Sequence, residues 1–320
     1  MGKCFAAIAA LCLIGTAYAA SGDYERALEL LRARKLGEAV TALTRADRDS
    51  DPRATNALAE LYQAGFGVPR DETRACELFE KAAKRGVVSA QYNFGQCFFL
   101  GKGGRTQDYA QSKQWYERAI EAGGPPAFCA LGAQYKAGLG VPKDVGRAAE
   151  LCAQGAALGD PNAQADLGEM YLAGVGVPRD LAAAQQWLAQ AAAQKHGRAM
   201  LNLGLMYWNG DGVAKDPMRA RELIVGACNL GISVAYFHAG RIFLAASVDR
   251  EKQKVDDDYA WIALFWLQLA AERDPIPPNR AEAQTLYAGL ANMASPAALT
   301  KANDAIRVRK AQETALGIRP

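Results

Sequence analysis

Aromatic residues are scarce in this chain of 320 residues, at 8%, although half of its residues are apolar. A sandwich of β-branched and aromatic strands would carry more of them, so the apolar share points to alanine-rich helices whose backbones approach closely. Histidine is nearly missing. His196 and His238 are the only two; they lie far apart, without Cys, Asp or Glu at zinc-ligand spacing and without an H-E-x-x-H. No G-x-S-x-G elbow and no S-x-x-K nucleophile occurs. The run Gly101-Lys102-Gly103-Gly104-Arg105-Thr106 lacks the order of a phosphate-binding loop and reads as a turn. An excess of charge is also lacking: 37 Lys and Arg face 34 Asp and Glu, a net charge of +3 that gives no case for nucleic acid or an anionic membrane. These absences predict no catalytic residue, no metal and no cofactor. The composition equally excludes a disordered polymer and a small disulfide knot.

What is present begins with an address. Met1, Gly2 and Lys3 form a basic start, residues 5–14 an apolar run, and Ala17-Tyr18-Ala19 a small-x-small cleavage pattern. The run is too short to span a bilayer comfortably, and no second candidate follows it. Leu11 before Cys12 excludes lipidation there, and Ala6 excludes myristoylation at Gly2. Residues 1–19 are expected to be a signal peptide. The chain is then exported, to the periplasm first and to the extracellular space as the alternative, with no membrane insertion after cleavage.

A repeat governs the remainder. The aromatics Tyr62, Phe98, Tyr135, Tyr171, Tyr207 and Phe243 follow one another at 36, 37, 36, 36 and 36 residues. Gly95, Gly132, Gly168, Gly204 and Gly240 keep the same phase, with Ala59 standing in once, and so do Asp71, Asp108, Asp144, Asp180 and Asp216. Within a unit, Ala163, Leu167, Gly168 and Tyr171 share one helical face. Gly174-Val175-Gly176-Val177-Pro178 breaks the helix, and Asp180 is placed to cap the next one, whose buried stripe is Ala184, Trp187, Leu188, Ala191 and Ala192. Each unit is a helical hairpin that cannot bury its own face, so stacking is required.

The pattern Ala-x-x-x-Leu-Gly-x-x-Tyr-x-x-Gly-x-Gly-Val-x-x-Asp-x-x-x-Ala-x-x-Trp-x-x-x-Ala-Ala, nearly complete at residues 163–192, resembles the Sel-one-like repeat, a relative of the tetratricopeptide repeat. The resemblance covers about residues 54–271. It implies an all-α, right-handed α-solenoid of stacked antiparallel hairpins. The expected divisions are a degenerate opening hairpin at 20–53, five repeats at 54–231, a degenerate sixth at 232–274 and capping helices at 275–320, near 279–293 and 296–314 with Ser295 as a cap. It further implies a non-enzymatic protein acting as scaffold, adaptor or regulator of an envelope or secreted protein. An immunity protein that neutralises a periplasmic toxin is the alternative reading; a β-lactam-binding enzyme and a peptidoglycan binder are others.

Five cysteines follow the leader: Cys76, Cys97, Cys129, Cys152 and Cys228. Antiparallel helices centred between residues 86 and 87 put Cys76 level with Cys97, and a second centre aligns Cys129 with Cys152. Each pair is either a disulfide or two small buried packing residues, and the odd count leaves at least one thiol.

In tetratricopeptide-like stacks the first helices line the concave side. By that resemblance the exposed positions lie three before, one after and four after the repeat glycine. They collect Tyr92, Gln96 and Phe99; Ala133 and Lys136; Glu169 and Leu172; Leu201, Leu205 and Trp208; and Phe237, Arg241 and Leu244. Asn93 and Asn202 match the position at which such clamps hold a peptide, and Arg198 lies one turn before Asn202. The expected partner is another protein or peptide in this groove.

Overall fold

The computed structural model describes residues 22–48, 50–249 and 254–315. The signal-peptide expectation at residues 1–19 therefore lies outside the described residues. The chain divides into two compact units, Met1–Gln190 and Ala191–Pro320, and the division falls inside a helix rather than at any boundary read from the sequence.

The first unit opens with α1 (Gly22–Arg32) and α2 (Leu36–Arg48), followed by α3 (Pro52–Ala64) with α4 (Glu72–Ala83), α5 (Val88–Leu100) with α6 (Tyr109–Glu121), and α7 (Pro125–Ala137) with α8 (Val145–Ala157). α9 (Pro161–Ala173) packs on α10 (Leu181–Ala193), where the backbone of Gly168 approaches Leu188. The members of each hairpin are antiparallel neighbours, and each second helix also packs on the next first helix. Local chemistry explains the punctuation. The carboxylates of Asp51, Asp71, Asp108, Asp144 and Asp160 each accept a backbone N–H from the turn that follows, removing an orphan donor. Glycines 65, 101, 138 and 174 close the first helices in the left-handed region. The core is alanine at the helix crossings, with Leu43, Phe79, Tyr116, Leu167 and Leu188 filling the layers between them.

The second unit holds α11 (Gly197–Asn209) with α12 (Pro217–Asn229), and α13 (Val234–Ser247) with α14 (Asp257–Arg273). The charged connection between α13 and α14 carries a two-residue antiparallel ladder, Val248 opposite Val255 and Asp249 opposite Lys254. α15 (Pro277–Ala291) and α16 (Pro296–Ala315) end the unit. Asp274, wholly buried, accepts from Ile276 N at 2.8 Å and from Asn279 Nδ2 at 3.1 Å, which fixes the entry to α15, whose first two residues are Pro277 and Pro278. Ser295 Oγ accepts from Ala298 N at 3.1 Å at the head of α16. That helix packs on α14 through the buried stripe Ala298, Ala302 and Ile306. One turn further, Arg309 donates to Cys228 O at 3.3 Å and to Tyr236 Oη at 3.1 Å, and its guanidinium lies over the rings of Tyr236 and Trp266. α16 thus covers apolar surface of α13 and α14 in the way a neighbouring repeat would.

Candidate partner-binding face

The first helices of successive hairpins carry the residues singled out above, and burial sorts them. In the first unit, α5 presents Tyr92, Gln96 and Phe99, all half-buried. Gln96 Nε2 donates to Tyr92 Oη at 3.2 Å. The Tyr92 ring lies 5.9 Å from that of Tyr116, and the Phe99 ring meets Tyr109 edge-on at 5.5 Å. Burial pushes the Tyr92 phenol above its usual range, and the carboxylates of Asp160 and Asp166 push in the same direction. Asn93 and Gln96 line a small cleft with Gln63, Glu72 and Lys102, beside Cys76 and Cys97. Ala133 and Lys136 of α7 are exposed, while Glu169 and Leu172 of α9 are half-buried. Asp166 holds on α9 the position that Asn93 holds on α5, and its Oδ2 lies 3.3 Å from Cys129 Sγ.

In the second unit, Leu205, Trp208 and Leu244 are half-buried against the core, Asn202 is half-buried, and Arg198 and Arg241 are exposed. Two expected face residues are core residues instead: Leu201 is 6% exposed and Phe237 is 3% exposed. Both belong to one cluster with Ile224, Ala227 and Trp266. The Arg241 guanidinium stands 5.5 Å from the Phe237 ring centroid, and its Nε is 3.9 Å from Glu282 Oε1 of α15. Neighbouring elements, which helical spacing does not reveal, close over these two side chains.

The first repeat belongs to the same register, although alanine replaces the repeat glycine there. Counting from Ala59 gives Asn56, Glu60 and Gln63 of α3 as the missing triplet.

The cysteines form two bridges. Cys76 of α4 is bonded to Cys97 of α5, with Cα atoms 6.1 Å apart, and Cys129 of α7 to Cys152 of α8, with Cα atoms 4.3 Å apart. The first ties one hairpin to the next; the second closes a hairpin on itself. Cys228 is free and fully buried, and burial pushes its thiol far up, so it is a poor nucleophile. His196 caps α11, its Nδ1 accepting from Ala199 N at 3.3 Å. Burial, with Arg241 nearby, holds the half-buried His238 below the usual imidazole range. Among the described residues no group of three or more His, Cys, Asp or Glu side chains could hold a metal ion, and no helix is long and apolar enough to cross a membrane.

A family model described as Sel1 repeat matches residues 52–87, 88–124, 126–160, 161–196, 197–232 and 254–275. A Sel1 repeat protein from Oxalobacter formigenes is 29% identical with a TM-score of 0.65, over 78% of this chain and 99% of that one. A protective antigen of uropathogenic Escherichia coli displaying an SLR fold is 26% identical with a TM-score of 0.56, over 91% of this chain and 61% of that one. Chitin synthase regulatory factor 3 of Schizosaccharomyces pombe is 29% identical over 98 residues, which are 31% of this chain and 10% of that protein's length.

Proposed function

The chain belongs to the Sel1 repeat family, and on that premise we propose that it is an exported, non-enzymatic adaptor that binds another protein along the faces of its first helices. Sel1 repeat proteins bind other proteins, and repeated hairpins serve that role because each adds one more stripe of the same orientation. The observation that carries the reading is the set of half-buried apolar side chains at equivalent helix positions within each unit. Tyr92, Phe99 and Leu172 occupy them in the first unit, and Leu205 and Trp208 in the second. Lys136 and Glu169 stand among them, whereas a merely solvated face would hold Lys and Glu throughout. Large side chains anchored in the core but open on one side are what interface hot spots are made of. The two disulfides support an oxidising, exported setting, because such bonds do not persist in a reducing cytosol. Recognition of this kind needs no nucleophile, base or metal.

The test is affinity purification of the tagged chain from the exported fraction of its host, with mass spectrometry of the proteins retained. The doubly substituted chain Leu205→Ala/Trp208→Ala should retain its helical circular dichroism and lose the captured protein by at least tenfold, about 1.4 kcal/mol or more. Capture undiminished in that variant sinks the second-unit part of the face. Phe237→Ala is a separate control: its side chain is core, so it should lower the melting temperature while the folded protein keeps its capture of the partner.

A further inference from the structure

The two bridges of the first unit stand in different surroundings. Cys76 and Cys97, 3% and 4% exposed, both border the cleft that Gln63, Glu72, Asn93, Gln96 and Lys102 line, about 270 Å³ with its open mouth. Cys129 is 6% exposed, so access alone does not separate the bridges. Charge does. One turn before Cys76, Glu72 holds two cations, Lys102 with its Nζ at 3.3 Å and Arg70; one turn after it, Glu80 holds Lys84 and Arg105. Four cations thus face two carboxylates beside the first bridge. At the second, a carboxylate oxygen, Asp166 Oδ2, stands 3.3 Å from Cys129 Sγ, which as a disulfide sulfur has no proton to offer it.

The sulfurs of the first bridge also differ from each other. The turn that follows α5 rests on Cys76: a Cβ at Gly103 would stand 2.7 Å from Cys76 Cβ and 3.0 Å from its Sγ. That side is closed by backbone, which leaves Cys97, next in sequence to the cleft residue Gln96, as the sulfur to attack. In disulfide exchange the sulfur that leaves does so as a thiolate, and it leaves faster the better that charge is stabilised. Cys76, set between the two cation-bearing glutamates, is the better leaving group.

We propose that Cys97 is a modification site for small anionic thiols, which enter through this cleft. The incoming thiolate forms a bond to Cys97 Sγ. The Cys76–Cys97 bond breaks, and its electron pair leaves on Cys76 Sγ as a thiolate, which water then protonates. The incoming sulfur is oxidised and Cys76 is reduced; one thiolate is consumed and one released. Cys97 is left carrying the small thiol as a mixed disulfide. At Cys129 the same attack meets the carboxylate of Asp166, which repels the nucleophile and disfavours a thiolate released beside it. The adduct at Cys97 lies next to Gln96, so it occupies part of the first unit's partner face and unties α4 from α5 in the same step. The exchange itself requires no protein partner and is tested without one.

The experiment exposes the full oxidised chain to glutathione for short intervals at one pH, blocks the freed thiol with N-ethylmaleimide and locates both groups by peptide mass spectrometry. Glutathione is expected on Cys97 and the maleimide on Cys76, with Cys129–Cys152 still bonded. Per thiolate present, glutathione should react about fivefold or more faster than the cationic thiol cysteamine. Lys102→Gln should cut that preference at least by half and leave the melting temperature unchanged, a response that a merely structural lysine would not give. Asp166→Asn should speed opening of Cys129–Cys152 by about threefold or more. No adduct, an adduct on Cys76, earlier opening of Cys129–Cys152, or equal rates for the two thiols would each overturn the proposal. Capture of a protein partner is not read in any arm, so the outcome is separate from that of the partner-binding face.

Discussion

Gly176→Ala is expected to destabilise the first unit by on the order of 3 kcal/mol or more, far beyond the usual effect of a surface alanine. Two causes add. The residue sits at φ +75°, which a side chain adopts at a cost of about 1 kcal/mol. A Cβ there would also lie 2.0 Å from the carbonyl oxygen of Val145 and 2.8 Å from its carbon. Both are backbone atoms at the head of α8 and cannot move aside without shifting the helix. Gly159 supplies the comparison: its φ is +88°, but a Cβ would meet nothing within 4 Å, so Gly159→Ala should show only the conformational part. Urea unfolding of both variants measures the difference. If the two fall within about 1 kcal/mol of each other, close approach is not what this glycine provides.

The hairpins, their caps and the alanine crossings were legible because a 36-residue period repeats the same physical problem in every unit. The two-glycine turn was legible only as a need for positive φ. Its second glycine in fact lets the turn rest against the first turn of the preceding second helix: Gly67 on Leu36, Gly103 on Glu72 and Cys76, Gly140 on Tyr109 and Gly176 on Val145. One sequence does not say which backbone will be the neighbour. Leu201 and Phe237 mislead for a related reason. Spacing assigns a side chain to a helical face, but whether that face is open depends on elements placed elsewhere in the chain. Asn56 and Glu60 were hidden by Ala59, which interrupts the glycine register used to count positions. The return of α16 onto α14, with Arg309 over Tyr236 and Trp266, has no periodic signal because it happens once. Equal height, by contrast, sufficed to single out the cysteine pairs, since two antiparallel helices leave few residues level with one another.

Those bridges carry the other large expected effect. Cys76 and Cys97 are separated by 21 residues, Cys129 and Cys152 by 23. On the chain-entropy account each loop closure contributes about 3 kcal/mol, so removing both should weaken the first unit by roughly 6 kcal/mol. A domain of ordinary stability has about 5–15 kcal/mol in all, so the loss is a large share of it. Both bridges lie in the first unit, and the second holds only the buried Cys228. Mild reduction, or Cys97→Ala with Cys152→Ala, should therefore split the thermal transition, lowering that of Met1–Gln190 and leaving that of Ala191–Pro320 in place. Calorimetry before and after reduction reads both transitions. A single transition that does not move would show that the helices hold without the bridges. A selective loss in the first unit would make its stability conditional on an oxidising compartment. The face carrying Tyr92, Phe99 and Leu172 would then be fully assembled only after export, so partner capture by the reduced chain should fall at that face and persist at Leu205 and Trp208.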